Sequence, residues 1–207
     1  MTARPLTMAL AAAALASAPC TFAQAAKASP AAKPAAKASA APAAAGMPAP
    51  KPAPEMAQLK AFDGTWSCEG EMPAGPQGPA RKTRTTVKSH VGMNGFWQVG
   101  TVTMAAPPME GTFHITYDAG QKKYVMVWVD NMGGYSQQSS PGWEGDKMVY
   151  TGEGSMMGEK MQARDTFTRS ADGASFKHAS EAQTNGQWTS MGEETCHRAA
   201  APASPKK

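Results

Sequence analysis

Apolar and polar positions alternate through most of this chain, in short stretches rather than long ones. Thr112 to Asp118 shows the pattern most clearly: Phe113, Ile115 and Tyr117 fall on one side, Thr112, His114 and Thr116 on the other. A two-residue period is that of a strand with one buried face. After Ala119-Gly120-Gln121 comes 123–129, apolar on both sides. Further strands are predicted over 64–72, 81–91, 95–105, 135–141, 147–154, 160–169, 174–183 and 186–197. Between them stand turn sequences such as Asp118-Ala119-Gly120, Asp172-Gly173 and Asn185-Gly186; Asn-Gly in particular favours a tight hairpin. Only 55–62 predicts a helical turn or two, ended by Asp63-Gly64.

Short connections force consecutive strands to run antiparallel. A meander of about ten strands leaves two long edges unless it closes, and closure removes both. The expected fold class is therefore all-β, an up-and-down closed barrel with a short N-terminal helical turn.

Only part of the 207 residues carries this pattern. Residues 1–25 read as a signal peptide: Arg4 is the positive region, 6–18 the apolar stretch, and Ala23-Gln24-Ala25 the cleavage site. Cys20 raises the competing reading of a lipoprotein signal, but Ser17 and Pro19 stand where a lipobox wants a large aliphatic and a small residue. Residues 26–54 hold 14 Ala, 7 Pro and 4 Lys. Repeated proline defeats an alanine helix, so this segment is expected to be a disordered linker, reaching roughly 90 Å at full extension. Its lysines are candidates for contact with anionic envelope polymers. The tail 199–207 has the same character, which leaves 55–198 as the domain. A periplasmic or secreted location follows.

Charge changes meaning once it is placed. The chain is formally +4, but seven of its 20 Lys and Arg lie in the flanks, while all 16 acids lie in 55–198. The domain thus holds 13 bases against 16 acids, a net −3. A nucleic-acid-binding domain needs a basic face of its own, so no nucleic-acid partner is expected. The apolar stretch near the N-terminus is too short to span a bilayer.

Cys68 and Cys196 remain after signal removal, and an even count in an exported chain points to a disulfide. They fall in the first and last strands, which are neighbours only if the sheet closes. A bridge requires Cα atoms within about 7 Å, so bridge and barrel predict each other. The domain holds one Leu, one Ile, twelve Met and five Trp. Methionine fills irregular spaces and adapts to guests, although it also fills cores that hold none. Trp97, Met104, Phe113, Ile115, Met126, Trp128, Met148 and Phe167 are the expected lining of a cavity for a small apolar molecule. A one-residue slip would reverse any strand's face.

The run from Leu59 through Gly64-Thr65-Trp66 resembles the entry to calycin barrels, where a helical turn leads to a Gly-x-Trp on the first strand and the Trp plugs the closed end. Tyr117-Asp118, Tyr124, Asp130-Asn131, Gly133-Gly134, 142–146 and 150–153 extend the likeness. The wider pattern resembles a bacterial family with a lipocalin-like barrel, domain of unknown function 1579, over about 57–198. The resemblance implies the fold and little chemistry. It also implies an arginine packed across Trp66, with Arg198 the first candidate and Arg164 the second.

Catalytic chemistry is not legible. His90, His114, His178 and His197 have no zinc spacing, and no nucleophile elbow or phosphate loop occurs. No enzyme activity, metal or cofactor is expected, and the histidines read as surface residues. Two alternatives stay open. Nitrobindin-like barrels hold haem through a late histidine, for which His178 and His197 are the candidates. Soft thioethers select Cu(I), and Met156, Met157 and Met161 cluster beside a glycine turn. A barrel filled solid, with a structural or interaction role, is the third possibility.

Overall fold

The computed structural model describes residues 49–75 and 78–199, without the side chain of Thr184. The expected signal peptide, the linker up to residue 48 and the tail from residue 200 lie outside the described residues. A 3-10 helix, Pro54–Phe62, opens the fold. The strands follow as β1 (Gly64–Met72), β2 (Arg81–Gly92), β3 (Trp97–Ala105), β4 (Pro108–Asp118), β5 (Lys123–Asp130), β6 (Tyr135–Ser140), β7 (Trp143–Glu144), β8 (Lys147–Met156), β9 (Glu159–Arg169), β10 (Ser175–Thr184) and β11 (Gln187–Arg198). Two differences from the sequence pattern have local causes. Residues Met93–Gly95 form a single 3-10 turn, so β3 starts late. The two-residue β7 pairs with the start of β8 and was not expected.

All pairings are antiparallel. β1 through β6 pair in chain order, β6 then pairs with β8, and β8 through β11 continue to β1. The result is a ten-stranded closed ring, with β7 outside it. At the seam Cys68 lies directly opposite Cys196, and the two form a disulfide. Both are buried.

The core sits at one end of the ring. Met56, Leu59 and Phe62 of the 3-10 helix are buried there with Trp66, Ile115, Tyr124, Met148, Tyr150 and Phe176. The Phe62 ring meets Trp143, Phe167 and Phe176 at 5.7, 5.3 and 5.7 Å. Backbone ties fix the helix over the opening. The Phe62 carbonyl accepts from Trp66 Nε1 at 2.9 Å and from the Ser89 hydroxyl, and the Glu55 carbonyl accepts from Tyr124 Oη at 2.9 Å. The Arg198 guanidinium lies 4.3 Å over the Trp66 ring and donates to the Asp63 carbonyl. Gly64 makes room for it: at φ +118° it adopts a conformation that side chains avoid, and a Cβ there would stand 2.7 Å from Arg198 Nη1. Arg164, the other candidate, packs over Trp188 instead. Ala199 continues the seam by donating to Thr65 O. Chain entry at the helix and chain exit at Arg198 thus both lie at the capped end.

Two stability predictions follow from the seam and the cap. Reduction, or C68S with C196S, lowers the urea midpoint, because the bridge spans 128 residues; in the chain-entropy model such a loop is worth up to about 5 kcal/mol. Equal midpoints in the oxidised and reduced protein would show that backbone pairing alone holds the seam. Leu59→Ala, at a fully buried cap position, costs about 2–5 kcal/mol; a loss under about 1 kcal/mol in urea titration would show that the cap does not seal the core.

Candidate functional site

Inward positions beyond the capped end split into two arcs. On β3, β4 and β5 they are Val102, Met104, Phe113, Met126 and Trp128, an apolar wall. Glycines at facing positions give the rings space: a Cβ on Gly100 would stand 2.2 Å from the Phe113 ring, and one on Gly111 would stand 2.2 Å from the Trp128 ring. On β6 the inward residues are Ser136, Gln138 and Ser140, all buried. The register then sets Asp165 of β9, His178 and Ser180 of β10, and Glu194 of β11 side by side across neighbouring strands. This second arc is polar.

Its centre is His178. Nε2 lies 2.9 Å from Asp165 Oδ1, and Nδ1 lies 3.5 Å from Glu194 Oε1. The Phe167 ring stacks on the imidazole at 4.7 Å and 14°. Gln138 Nε2 donates to Asp165 Oδ2 at 2.5 Å and to Ser136 Oγ at 3.2 Å, and the Ser180 hydroxyl also serves Asp165. Burial alone would push the imidazole toward its neutral form. The two carboxylates outweigh that, and the His178 pKa is raised to about 10. Burial likewise opposes the Asp165 charge, yet its hydrogen bonds and the imidazolium hold its pKa below the ordinary carboxylate value.

This arc is not sealed. The His178, Asp165 and Glu194 side chains keep 25%, 13% and 16% of their surface exposed while facing inward. Some unfilled space therefore borders them on the inner side. Among the described residues, three buried polar atoms on the inner side have no hydrogen-bond partner: Gln98 Oε1, Gln138 Oε1 and Tyr150 Oη. Buried polar groups are nearly always satisfied by protein, water or ligand. Two clefts of about 380 and 480 Å³ open on the outside, one by Met72 and Arg81, the other by Gly145 and Arg169. They belong to the rims rather than to this space.

Seven of the eight expected lining residues point inward: Met104, Phe113, Ile115, Met126, Trp128, Met148 and Phe167. Ile115 and Met148 belong to the capped core, and Phe167 packs against it while stacking on His178. Trp97 stands on the outer wall, 6.3 Å from the His114 ring. Its neighbour Gln98 takes the inward place, fully buried, donating to Asp63 and Ser89. Trp97 and Met104 differ by an odd number of residues, so a regular strand cannot turn both inward. His178 departs from the surface expectation because it shares the parity of buried Phe176. The same argument finds Asp165 from Phe167 and Glu194 from Cys196. His114 and His197 lie on outer faces.

Neither metal reading gains a ligand set. Both ring nitrogens of His178 face carboxylates and its proton is held firmly, which makes it a poor iron ligand. Met156 and Met161 face inward, while Met157 is 75% exposed at the turn. Among the described residues, Cys68, Glu194 and Cys196 place potential donor atoms within 4.8 Å, but both sulfurs are spent in the disulfide.

These features define a class: a closed antiparallel barrel, capped at one end, with a half-polar interior. The chain belongs to the family described as protein of unknown function (DUF1579), which matches residues 51–198. Among solved structures, Rv2717c from M. tuberculosis, also a barrel, is similar at 13% identity and a TM-score of 0.55, covering 72% of this chain and all of that one. That likeness concerns the fold alone. No curated protein sequence matches the chain.

The pH behaviour tests the His178 cluster. A raised histidine pKa contributes stability that is complete below the unfolded value of 6.5 and is lost as pH rises through about 10. The lowered Asp165 pKa contributes stability present above its ordinary 3.8 and lost as pH falls through the folded value. Nitrogen NMR is expected to show His178 doubly protonated well above 6.5, and wild type is expected to lose its urea-stability advantage over H178Q as pH rises toward 10. A His178 midpoint near 6.5 would contradict the cluster geometry.

Proposed function

We propose that this protein is an exported container that binds a small, largely apolar molecule carrying one polar group, in the mouth half of the barrel. The observation that carries the reading is the lumen itself: an apolar wall on β3–β5 faces a polar arc that has unpaired buried atoms and partly exposed charges. A barrel that needed only stability gains nothing from such an arc, since burying charged groups costs more than packing apolar ones in their place. Apolar surface on the guest supplies the driving force, at about 25 cal/mol per Å² removed from water. Polar groups at fixed positions supply the orientation, as in ligand pockets generally.

Export rests on the N-terminal pattern together with the disulfide, which persists in oxidising compartments. No helix among the described residues is long and apolar enough to cross a membrane. The 29 residues from Ala26 to Pro54 serve as a tether, and their lysines suit transient contact with anionic envelope polymers.

Nile red, a neutral apolar dye, tests the lumen directly. Wild type is expected to bind it with a blue-shifted emission. A182W, which places a large ring at a buried inward position near the mouth, weakens binding about ten-fold or more while thermal unfolding stays cooperative. Native mass spectrometry of protein from its own host is expected to show a chain beginning at Ala26 and a retained small molecule. No dye binding and no retained mass would overturn the container reading; a mature chain that keeps residues 1–25 would overturn export.

A further inference from the structure

We infer that the polar group of the guest is a hydrogen-bond donor bearing positive charge, an amine or ammonium head, and not a carboxylate. This rests on the lumen being the binding site. The inward charges at mid-depth are Asp165 and Glu194 against His178 alone, so even with the imidazole fully protonated one negative charge is in excess. The uncommitted atoms have the same sense. Gln138 is 3% exposed and its Oε1 has no donor. Its amide nitrogen is already given to Asp165 and Ser136, so the carbonyl end cannot be exchanged for a donor without losing the bond to the Asp165 carboxylate, which can only accept. Glu194 meets His178 through one oxygen at 3.5 Å, which leaves its other oxygen to accept.

Among the described residues, the one inward cation at this depth is His178, already engaged by Asp165 and Glu194. By strand parity the inward-side arginines lie at the ends of the ring. Arg81 reaches Met72 at the mouth, and Arg169 and Arg198 lie over Trp143 and Trp66 at the base. A carboxylate guest would bring a third negative charge beside Asp165 and Glu194, where solvent screening is reduced. An ammonium head instead completes the charge balance, donating to the second oxygen of Glu194 while its chain lies along Met104, Phe113 and Trp128.

The test uses the intact, disulfide-bonded protein and one chain length with three heads: dodecylamine, dodecanol and dodecanoate, each displacing Nile red below its micelle concentration in about 0.15 M salt. Dodecylamine is expected to bind about ten-fold or more tightly than dodecanoate. E194Q narrows that gap to about three-fold and leaves dodecanol unchanged. E193Q is the control, since it removes the same charge one residue away on the outer wall, where Glu193 pairs with Lys177 at 2.9 Å; its gap stays that of wild type. Equal or tighter dodecanoate binding overturns the head-group assignment and leaves the container standing. An equal loss in E193Q and E194Q shows a general field effect and also overturns the assignment. If none of the three displaces bound dye, the lumenal reading itself fails.

Discussion

Every part of this structure leans on the pairing of its first and last strands. A strand whose backbone groups find no partner costs free energy along its whole length, and β1 and β11 satisfy each other from Trp66 opposite Arg198 to Glu71 opposite Glu193. The same pairing sets everything near it. Trp66 and Arg198 form the base of the cap because they are register partners. Cys68 and Cys196 meet for the same reason. Glu194 faces inward because it stands two residues from Cys196. Gly70 lets the two backbones approach, since any Cβ there would lie 2.1 Å from the Glu193 carbonyl. Open this seam and the base of the cap and the bridge lose their geometry together.

A second consequence is a division of labour along the barrel axis. Burial is concentrated at the capped end, where three aromatic rings, Trp143, Phe167 and Phe176, surround Phe62 or Trp66 and the 3-10 helix closes the hole. That concentration is what allows the other half to be polar. Charged groups inside a protein are tolerated when each is hydrogen-bonded and paired, and the Asp165–His178–Glu194 line meets that condition with Gln138, Ser136 and Ser180 as supports. On the facing wall β3–β5 present mainly Val102, Met104, Phe113, Met126 and Trp128, whose indole donates to Asp130 at 3.1 Å, while β2 beside them buries Thr83 and Thr85.

The sequence made the strands, the ring and the bridge legible because those rest on period and on two cysteines, signals that need no neighbour to interpret. The inward set was read by hydrophobicity before parity, and there it failed at one place. Trp97 is large and apolar but out of phase with Met104, and Gln98 occupies its expected position because Asp63 and Ser89 give that amide two acceptors. The polar arc escaped for a related reason. Asp165, His178 and Glu194 lie far apart in sequence and each looks like a surface residue until its neighbour two places away is known to be buried. Two consecutive hairpins bring β9, β10 and β11 into adjacency, but the register that lines the three side chains up is encoded by no short motif.

The placement of the described chain ends adds one more constraint. Entry through the 3-10 helix and exit at Arg198 both fall at the capped base, where Arg198 donates to the Asp63 carbonyl and Ala199 to that of Thr65. Both ends are therefore tied into the same packed layer. The base is constrained by these connections and can be packed to density, whereas the charges of the polar arc lie beyond the cap and keep part of their surface exposed.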